Sequence, residues 1–471
     1  MKSSNPTKLL FITLVATLGG LLFGYDTAVI SGAIGNLKKH FTLSDAAMGW
    51  AASSALIGCI VGAVLAAFLS SSLGRKKSLL LAAVLFLISA IGTAFPASFN
   101  QFILFRIVGG IGVGLASMLS PMYIAEIAPA HKRGQLVSYN QFAIIFGMLL
   151  VYFVNYSIAL QGNATWNIAT GWRWMFLSEA IPTGLFLLML FFVPSSPRWL
   201  MMKGRKAEAK RVLLQMNSAE VTQQTLESIA SSFQQKQGTW QDLLRPNMRK
   251  LLVIGIFLSV FQQVTGINVF LYYAPEIFKS FGSGTNVALL QTILVGAVNL
   301  VFTIIAIFTV DKIGRKPLQM IGALGMAICI AMIGLGAYTQ NVGSWLLIFV
   351  LGYIASFALS WGPVTWVLLS EIFPNKIRSL ALSVAVAAQW ISNFVVSQTF
   401  PMMDGNAYLK NVFHGAFPFW LYSIMGILAA IFVYRLVPET KGKSLEELEV
   451  TLVQKLQKSV KNTQLEETQN I

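Results

Sequence analysis

Twelve apolar segments, each about as long as a membrane-crossing helix, constrain this chain more than any other feature. A transmembrane helix needs about 20 mostly apolar residues, and only 11% of this sequence is charged, against about 25% in a soluble protein. We therefore predict an all-α polytopic membrane protein embedded in a lipid bilayer. The predicted spans are 9–30, 47–70, 78–97, 101–124, 136–158, 172–193, 250–280, 287–310, 317–338, 344–370, 379–401 and 415–437.

The basic residues lie mainly in the connections between these spans. If the N-terminus is inside, the inner segments and tails hold 28 of the 34 Lys and Arg residues, and the outer loops hold four, Lys38, Lys39, Lys279 and Lys410. Cytoplasmic loops carry the excess of positive charge, so both termini are predicted to be cytoplasmic. The net charge of +16 then reflects orientation and does not indicate a nucleic-acid partner.

The seventh apolar run carries amides at bilayer depth. Gln262, Gln263 and Asn268 lie within residues 251–281, and amides in lipid must face protein or water. On a continuous helix Gln263 and Asn268 would point roughly 140° apart, so we expect the helix to loosen at Gly266 and turn both amides into one cavity. This arrangement fits a polyhydroxylated solute, and the alternative is amide bonding between helices.

Three short motifs of the first six spans recur in the last six at nearly one offset. This recurrence predicts two duplicated six-span halves, 1–200 and 250–440, joined by a linker at 201–249 and followed by a tail at 441–471. The linker is predicted to hold amphipathic helices at 204–216 and 219–235, and the tail a short helix at 444–456. The motifs are LGRK at 73–76 and IGRK at 313–316, EIAP at 126–129 with Arg133 and EIFP at 371–374 with Arg378, and, more weakly, PSS at 194–196 and PET at 438–440.

The duplicated charges suggest a gate at the inner surface. Glu126 and Arg133 are seven residues apart, as are Glu371 and Arg378, at the ends of spans 4 and 10. We expect such ion pairs to latch an outward-open state and to separate when the halves rock inward; the alternative is ordinary flanking charge. The predicted inner gate comprises Arg75, Glu126, Arg133, Arg315, Glu371 and Arg378.

Asp26 is an acid deep in the first span, and such a residue is functional by default. Arg106 is the only Arg within the apolar run of span 4, so we name it as the partner. Motion that separates the two would let the acid take a proton, and their reunion would expel it. The alternative is a static salt bridge.

The chain resembles the sugar porter family of the major facilitator superfamily, from the first span to residues 438–442. The matching motifs are Arg-x-x-Gly-Gly-x-Gly-x-Gly from Arg106, PRWL at 197–200, Gln262-Gln263 with Gly266 and Asn268, and WGP at 361–363 through Pro374. Among members it is most similar to bacterial D-xylose–proton symporters, and glucose facilitators are more distant. The resemblance implies that Asp26 carries the coupling proton. It also implies a central sugar site of Gln141, Gln262, Gln263, Asn268, Tyr272, Asn299, Trp366, Gln389 and Trp390.

The residue types suit this site, because amides donate to and accept from hydroxyls at once and the C–H face of a sugar packs on an aromatic ring. Trp366 and Trp390 fit that second role, and the alternative for either is an interfacial anchor.

Three positions depart from the family pattern. Ser71 and Ser195 stand where many members carry an acid, so fewer ion pairs are expected at the inner gate of the first half. Met148 lies two turns after Gln141, where xylose symporters have Gln and glucose facilitators have an apolar residue. The selected sugar therefore stays open between D-xylose and a hexose such as D-glucose.

These features predict a proton-coupled monosaccharide importer of the bacterial inner membrane, working as a monomer and without a cofactor. The closest alternative is an uncoupled facilitator of the same fold. The short tail argues against a sugar sensor, and the density of amides argues against a drug exporter. The spans assemble no nucleophile, base or metal site, which argues against an enzyme.

Overall fold

The computed structural model describes residues 6–129, 132–234, 239–374 and 377–441, and within these ranges the chain is helical and contains no β-strand. Twelve helical segments are long and apolar enough to cross a membrane, which confirms the twelve predicted spans. Spans 1 to 12 cover, in order, Thr7–His40, Asp45–Ser72, Arg75–Ala94, Phe99–Ile127, Arg133–Ala159, Ala164–Leu190, Met248–Ser280, Thr285–Ile313, Arg315–Tyr338, Leu346–Ile372, Leu380–Gly405 and Phe417–Leu436.

The ends of the helices differ from the predicted ones most at span 1. Its predicted end was residue 30, but the helix continues to His40. Hydropathy marks where the hydrocarbon core ends, whereas the backbone hydrogen bonds of a helix continue into the polar region. There Lys38 Nζ binds Asp45 Oδ1 at 2.7 Å, at the start of span 2.

Glycines let helix backbones touch within the first six spans. Gly58 of span 2 lies against the carbonyl oxygen of Ile107 on span 4, and Gly24 of span 1 lies against that of Ile144 on span 5. A Cβ at either glycine would collide with backbone, which cannot turn aside as a side chain can. These pairs of spans are therefore fixed at close distance.

Short helices join span 6 to span 7, at Pro197–Met202, Lys206–Leu214, Ala219–Gln234 and Trp240–Leu243. The second and third agree with the predicted amphipathic helices, and Ala209, Val212 and Leu213 form the buried face of the second. The tail helix predicted at 444–456 lies outside the described residues. We call the ends of the spans next to these short helices the linker side, and the opposite ends the far side.

Spans 1–6 and spans 7–12 bond to one another toward the far side. Tyr152 Oη of span 5 donates to the carbonyl of Leu271 on span 7 at 2.8 Å. Ser53 Oγ of span 2 donates to Gln398 Oε1 of span 11 at 2.8 Å, and Gln398 Nε2 donates to the carbonyl of Ala46 at 3.0 Å. These bonds hold the two halves together at their far ends.

Candidate functional site

Span 7 is broken where the amides lie. Its first helix ends at Val264 and its second begins at Ile267, and between them Gly266 has a φ of +92°, a left-handed conformation that glycine adopts without strain. Asn268 Nδ2 donates to Gln263 Oε1 at 2.5 Å. The break expected at Gly266 therefore brings together two amides that a continuous helix would hold apart.

Span 10 is also broken, at Ser360 (φ −129°, ψ −86°), and we did not predict this break. Gln262 Nε2 donates to the backbone in the first turn after this break, at 2.8 Å from the carbonyl oxygen of Trp361 and 3.2 Å from that of Gly362. Pro363, in the first turn of the second helix, was the sequence signal for a new helix start.

The two broken spans are tied to each other in both directions. While Gln262 of span 7 donates to span 10, Tyr353 Oη of span 10 donates to the carbonyl of Thr265 at the break of span 7, at 3.0 Å. Both side chains are buried. A side chain of each span thus bonds to the backbone of the other span beside its break.

The amides of span 7 form one hydrogen-bonded chain. Asn268 donates to Gln263, Gln263 Nε2 lies 3.3 Å from Gln262 Oε1, and Gln262 donates to span 10. One turn after Asn268, the Tyr272 phenol faces the side chain of Asn393 on span 11. A ligand hydroxyl that bonds to one amide of such a chain changes the partners of the next.

The remaining predicted sugar residues lie on four other spans. Asn299 is buried, Gln141, Gln389 and Trp390 are half-buried, and Trp366 is 41% exposed. Gln389 Oε1 is buried and has no hydrogen-bond partner in the described part of the chain, which leaves an acceptor for a ligand hydroxyl.

Residues from both halves contact the same turn of span 1. The ring of Phe23 lies 5.9 Å from that of Trp390 on span 11, and the neighbouring Gly24 packs on span 5 beside Ile144 and Met148. Trp390 and Met148 therefore lie on either side of the same turn of span 1.

The predicted proton pair is formed. Arg106 donates through one guanidinium nitrogen to Asp26 Oδ1 at 3.0 Å and to the Asp26 carbonyl at 3.2 Å. Both side chains are 1% exposed. The Phe176 ring lies over the guanidinium at 5.7 Å, which further separates the pair from water.

Glu179 of span 6 is a third member of this group that we missed. Its side chain is buried and its carboxyl faces that of Asp26. Asp26 Oδ2 and Glu179 Oε1 have no donor among the described residues. Two carboxyl groups that face each other in a buried site repel when both are ionised, and a proton on one of them removes the repulsion. The signal was the same as for Asp26, an acid within an apolar span.

At the linker side, the two duplicated glutamates are bound in the same way. Arg75 binds Glu126 at 2.6 Å and Arg315 binds Glu371 at 2.9 Å. Each pair lies within one half and joins neighbouring spans, so neither bridges the halves.

This pairing differs from the predicted one, which joined each glutamate to the arginine seven residues later. Arg133 is exposed, and Arg378 Nε donates to the Phe373 carbonyl at 3.1 Å. Between each glutamate and the arginine seven residues later the helix ends, so the two side chains point in different directions. The arginine that binds each glutamate stands instead at the start of a neighbouring span.

The family profile described as sugar (and other) transporter matches residues 12–452. The chain belongs to this family, the sugar porters of the major facilitator superfamily. It is 55% identical to the D-xylose-proton symporter of Escherichia coli K12 over 94% of this chain and 96% of that one. It is 43% identical to the arabinose-proton symporter of Bacillus subtilis, over 95% and 96%.

Among solved structures, the inward-open conformation of the E. coli xylose transporter XylE matches with a TM-score of 0.84, at 52% identity, over 94% of this chain and 99% of that one.

Proposed function

We propose that this sugar porter imports a monosaccharide together with a proton. Buried amides supply the sugar's hydrogen bonds, and the buried group of Asp26, Arg106 and Glu179 holds the proton. The observation that carries the proposal is this group, because an uncoupled carrier needs no acid pair sealed in an apolar span.

The proton step follows from charge balance. One guanidinium balances one carboxylate, so a second buried carboxyl beside them must be neutral. In the structure the Asp26–Glu179 pair therefore has one proton to share. When Asp26 moves away from Arg106, the lost positive partner favours a second proton, and when the two meet again a proton leaves.

The sugar step follows from the amide chain. Gln262, Gln263 and Asn268 bond to one another in the structure, and the hydroxyls of a sugar ring can take over those bonds. Gln141 and Gln389 extend the site to spans 5 and 11, and Trp390 offers a ring for the C–H face. A sugar that bonds to residues of both halves would draw the two halves together around it.

The available energy suits active accumulation. A proton gains about 2.3 kcal/mol per 100 mV of membrane potential. At ~150 mV one proton can support a sugar gradient of a few hundredfold.

We place the protein in the bacterial inner membrane with both termini cytoplasmic, so that the linker side faces the cytoplasm. Each chain carries its own proton group and amide chain, which supports function as a monomer. The sugar is a pentose such as D-xylose or a hexose such as D-glucose, and Met148 is the residue that we assign to this choice.

Uptake into membrane vesicles tests the proposal. Labelled pentoses and hexoses are offered with and without an imposed proton gradient. We expect accumulation above the outside concentration that collapses when an uncoupler is added. Equilibration without accumulation would show an uncoupled facilitator, and failure to take up any sugar would overturn the assignment.

A further inference from the structure

In the second half, a carboxylate caps the start of span 9. Glu439 Oε1 accepts from the backbone N–H of Arg315 at 3.1 Å, and Oε2 accepts from that of Lys316 at 3.0 Å. The N–H groups of Thr440 and Lys441 also donate to it. Partial burial acts to raise the pKa of Glu439, but these four donors lower it below its ordinary value. The turn is therefore built to hold a negative charge.

The first half repeats this turn. Gly74 before span 3 has a φ of +86° and Gly314 before span 9 has a φ of +104°. Ser196 donates to Glu126 as Thr440 donates to Glu371. Since Ser196 matches Thr440, Ser195 occupies the position of Glu439.

The carboxylate is therefore missing from the first half. The N–H groups in the first turn of a helix have no partner within the helix, and Gly74, the residue at the start of span 3, has no side chain that could cap them. At the start of span 3, where the second half has a carboxylate, lies a cavity of about 240 Å³. Its lining includes Gly74, Arg75, Lys76, Lys77, Ser195 and Arg205.

The cavity is electropositive. None of the residues that line it carries a carboxylate. Arg75 is bound to Glu126 and Arg205 to Glu208, whereas Lys76 Nζ donates to the carbonyl of Phe191 at 3.0 Å, so the charges of Lys76 and Lys77 are not balanced by a carboxylate of the cavity. The Arg75 side chain is nine-tenths buried, and its Nε has no partner among the described residues.

We propose that this cavity, which we call the anion cradle, binds a phosphate group, either free phosphate or the headgroup of a phospholipid. A bound phosphate does for span 3 what Glu439 does for span 9. It accepts from the backbone at the start of the helix and balances Lys76 and Lys77. The first half thus depends on an external anion where the second half has its own.

Thermal unfolding of the purified full-length protein in detergent tests this proposal. Sodium phosphate is titrated against sodium chloride at matched ionic strength. We expect a saturable rise in Tm of about 2 °C for the natural protein. Ser195→Glu should raise the Tm without phosphate and abolish the response, because its carboxylate fills the cradle. Ser195→Asn, which adds no charge, should keep the response.

A second pair of variants decides the matter if Ser195→Glu is poorly folded. Lys76→Gln removes a charge from the cradle, and Lys316→Gln makes the same change in the half that Glu439 already fills. The response to phosphate should weaken in the first and persist in the second. An equal response in both variants would overturn the proposal.

Phosphatidate added to the detergent, with diacylglycerol as the phosphate-free control, separates the two sources. Stabilisation by inorganic phosphate identifies a free anion, and stabilisation by phosphatidate alone identifies a lipid headgroup. The anion cradle is excluded if neither compound stabilises the natural protein more than it stabilises Ser195→Glu.

Discussion

At the scale of single residues, one arginine serves two acids. Arg106 bonds directly to Asp26, while Glu179 faces Asp26 and not solvent. The free-energy cost of burying this group is low only if its net charge is small. The number of protons that it holds is therefore linked to the distance between Asp26 and Arg106, which is what coupling requires.

Asp26→Asn tests this link. The amide keeps the shape of the side chain but cannot exchange a proton, so we expect uphill accumulation to be lost. Exchange of labelled for unlabelled sugar should persist, because it needs no net proton movement. Both are measured in vesicles. Accumulation driven by a pH gradient in the variant would remove Asp26 as the proton carrier.

Met148→Gln tests sugar selection. An added amide can bond to one more hydroxyl, and a net hydrogen bond contributes about 1 kcal/mol. We expect the affinity for D-xylose to rise roughly fivefold relative to that for D-glucose, measured by competition for labelled sugar. Met148→Leu is the matched control, since it keeps an apolar side chain of similar volume. An equal xylose-to-glucose ratio in both variants would contradict the assignment.

Residue identities predicted this site in part. Hydropathy singled out Asp26, and Arg106 was its partner because span 4 holds one arginine in its apolar run. Glu179 gave the same signal, but its place beside Asp26 depends on how span 6 packs against span 1, which residue spacing does not encode. The partner of Glu126 escaped for the same reason, since Arg75 is distant in sequence.

At the scale of elements, the two broken helices form one unit. Span 7 and span 10 each donate a hydrogen bond to the backbone of the other beside its break, through Gln262 and Tyr353. A sugar that takes the amide of Gln262 removes the donor from span 10. On the proposed sugar site, we therefore expect occupation to loosen the tie between the two breaks.

Tyr353→Phe removes one of these ties. The carbonyl of Thr265 loses its donor, so both breaks should open more often. We expect roughly fivefold faster hydrogen exchange at the backbone amides around the two breaks, for a loss of about 1 kcal/mol. Tyr273→Phe is the control, because Tyr273 also donates to a backbone carbonyl, that of Ser397, but away from the breaks. Similar exchange in the two variants would contradict a coupled unit.

The two breaks were not equally predictable. Gly266 lies between Gln263 and Asn268, which a continuous helix would point apart, so the sequence predicted a break there. Ser360 is polar but not a helix breaker. Pro363 signals that a helix starts nearby, but the φ and ψ angles of Ser360 depend on packing from other spans, which local sequence does not report.

At the scale of the whole molecule, the halves are held together at one end. Gln398 makes two of the far-side bonds, to Ser53 and to the carbonyl of Ala46. If the linker side faces the cytoplasm, as we propose, an outward-open state must break these bonds. Their strength therefore contributes directly to the balance between the two open states.

Gln398→Leu should shift this balance. The loss of two hydrogen bonds, about 1–2 kcal/mol, is expected to raise the outward-open population roughly tenfold. Spin labels at the exposed positions Gly134 and Ser370, near the linker side of each half, should come closer together. Gln340→Leu is the control, since Gln340 bonds within the second half. Unchanged distances in Gln398→Leu would show that these bonds do not set the balance.

The glycine contacts described for spans 1, 2, 4 and 5 have a further consequence. Where helix backbones touch directly, no side chains lie between them that could repack. Spans 1 and 5, and spans 2 and 4, therefore cannot slide past each other in small steps. Large displacements are therefore expected at the contact between the two six-helix halves, and the separation of Asp26 from Arg106 within the first half is a movement of side chains. Each transport cycle should therefore be a switch between two rigid conformations, with few stable intermediates.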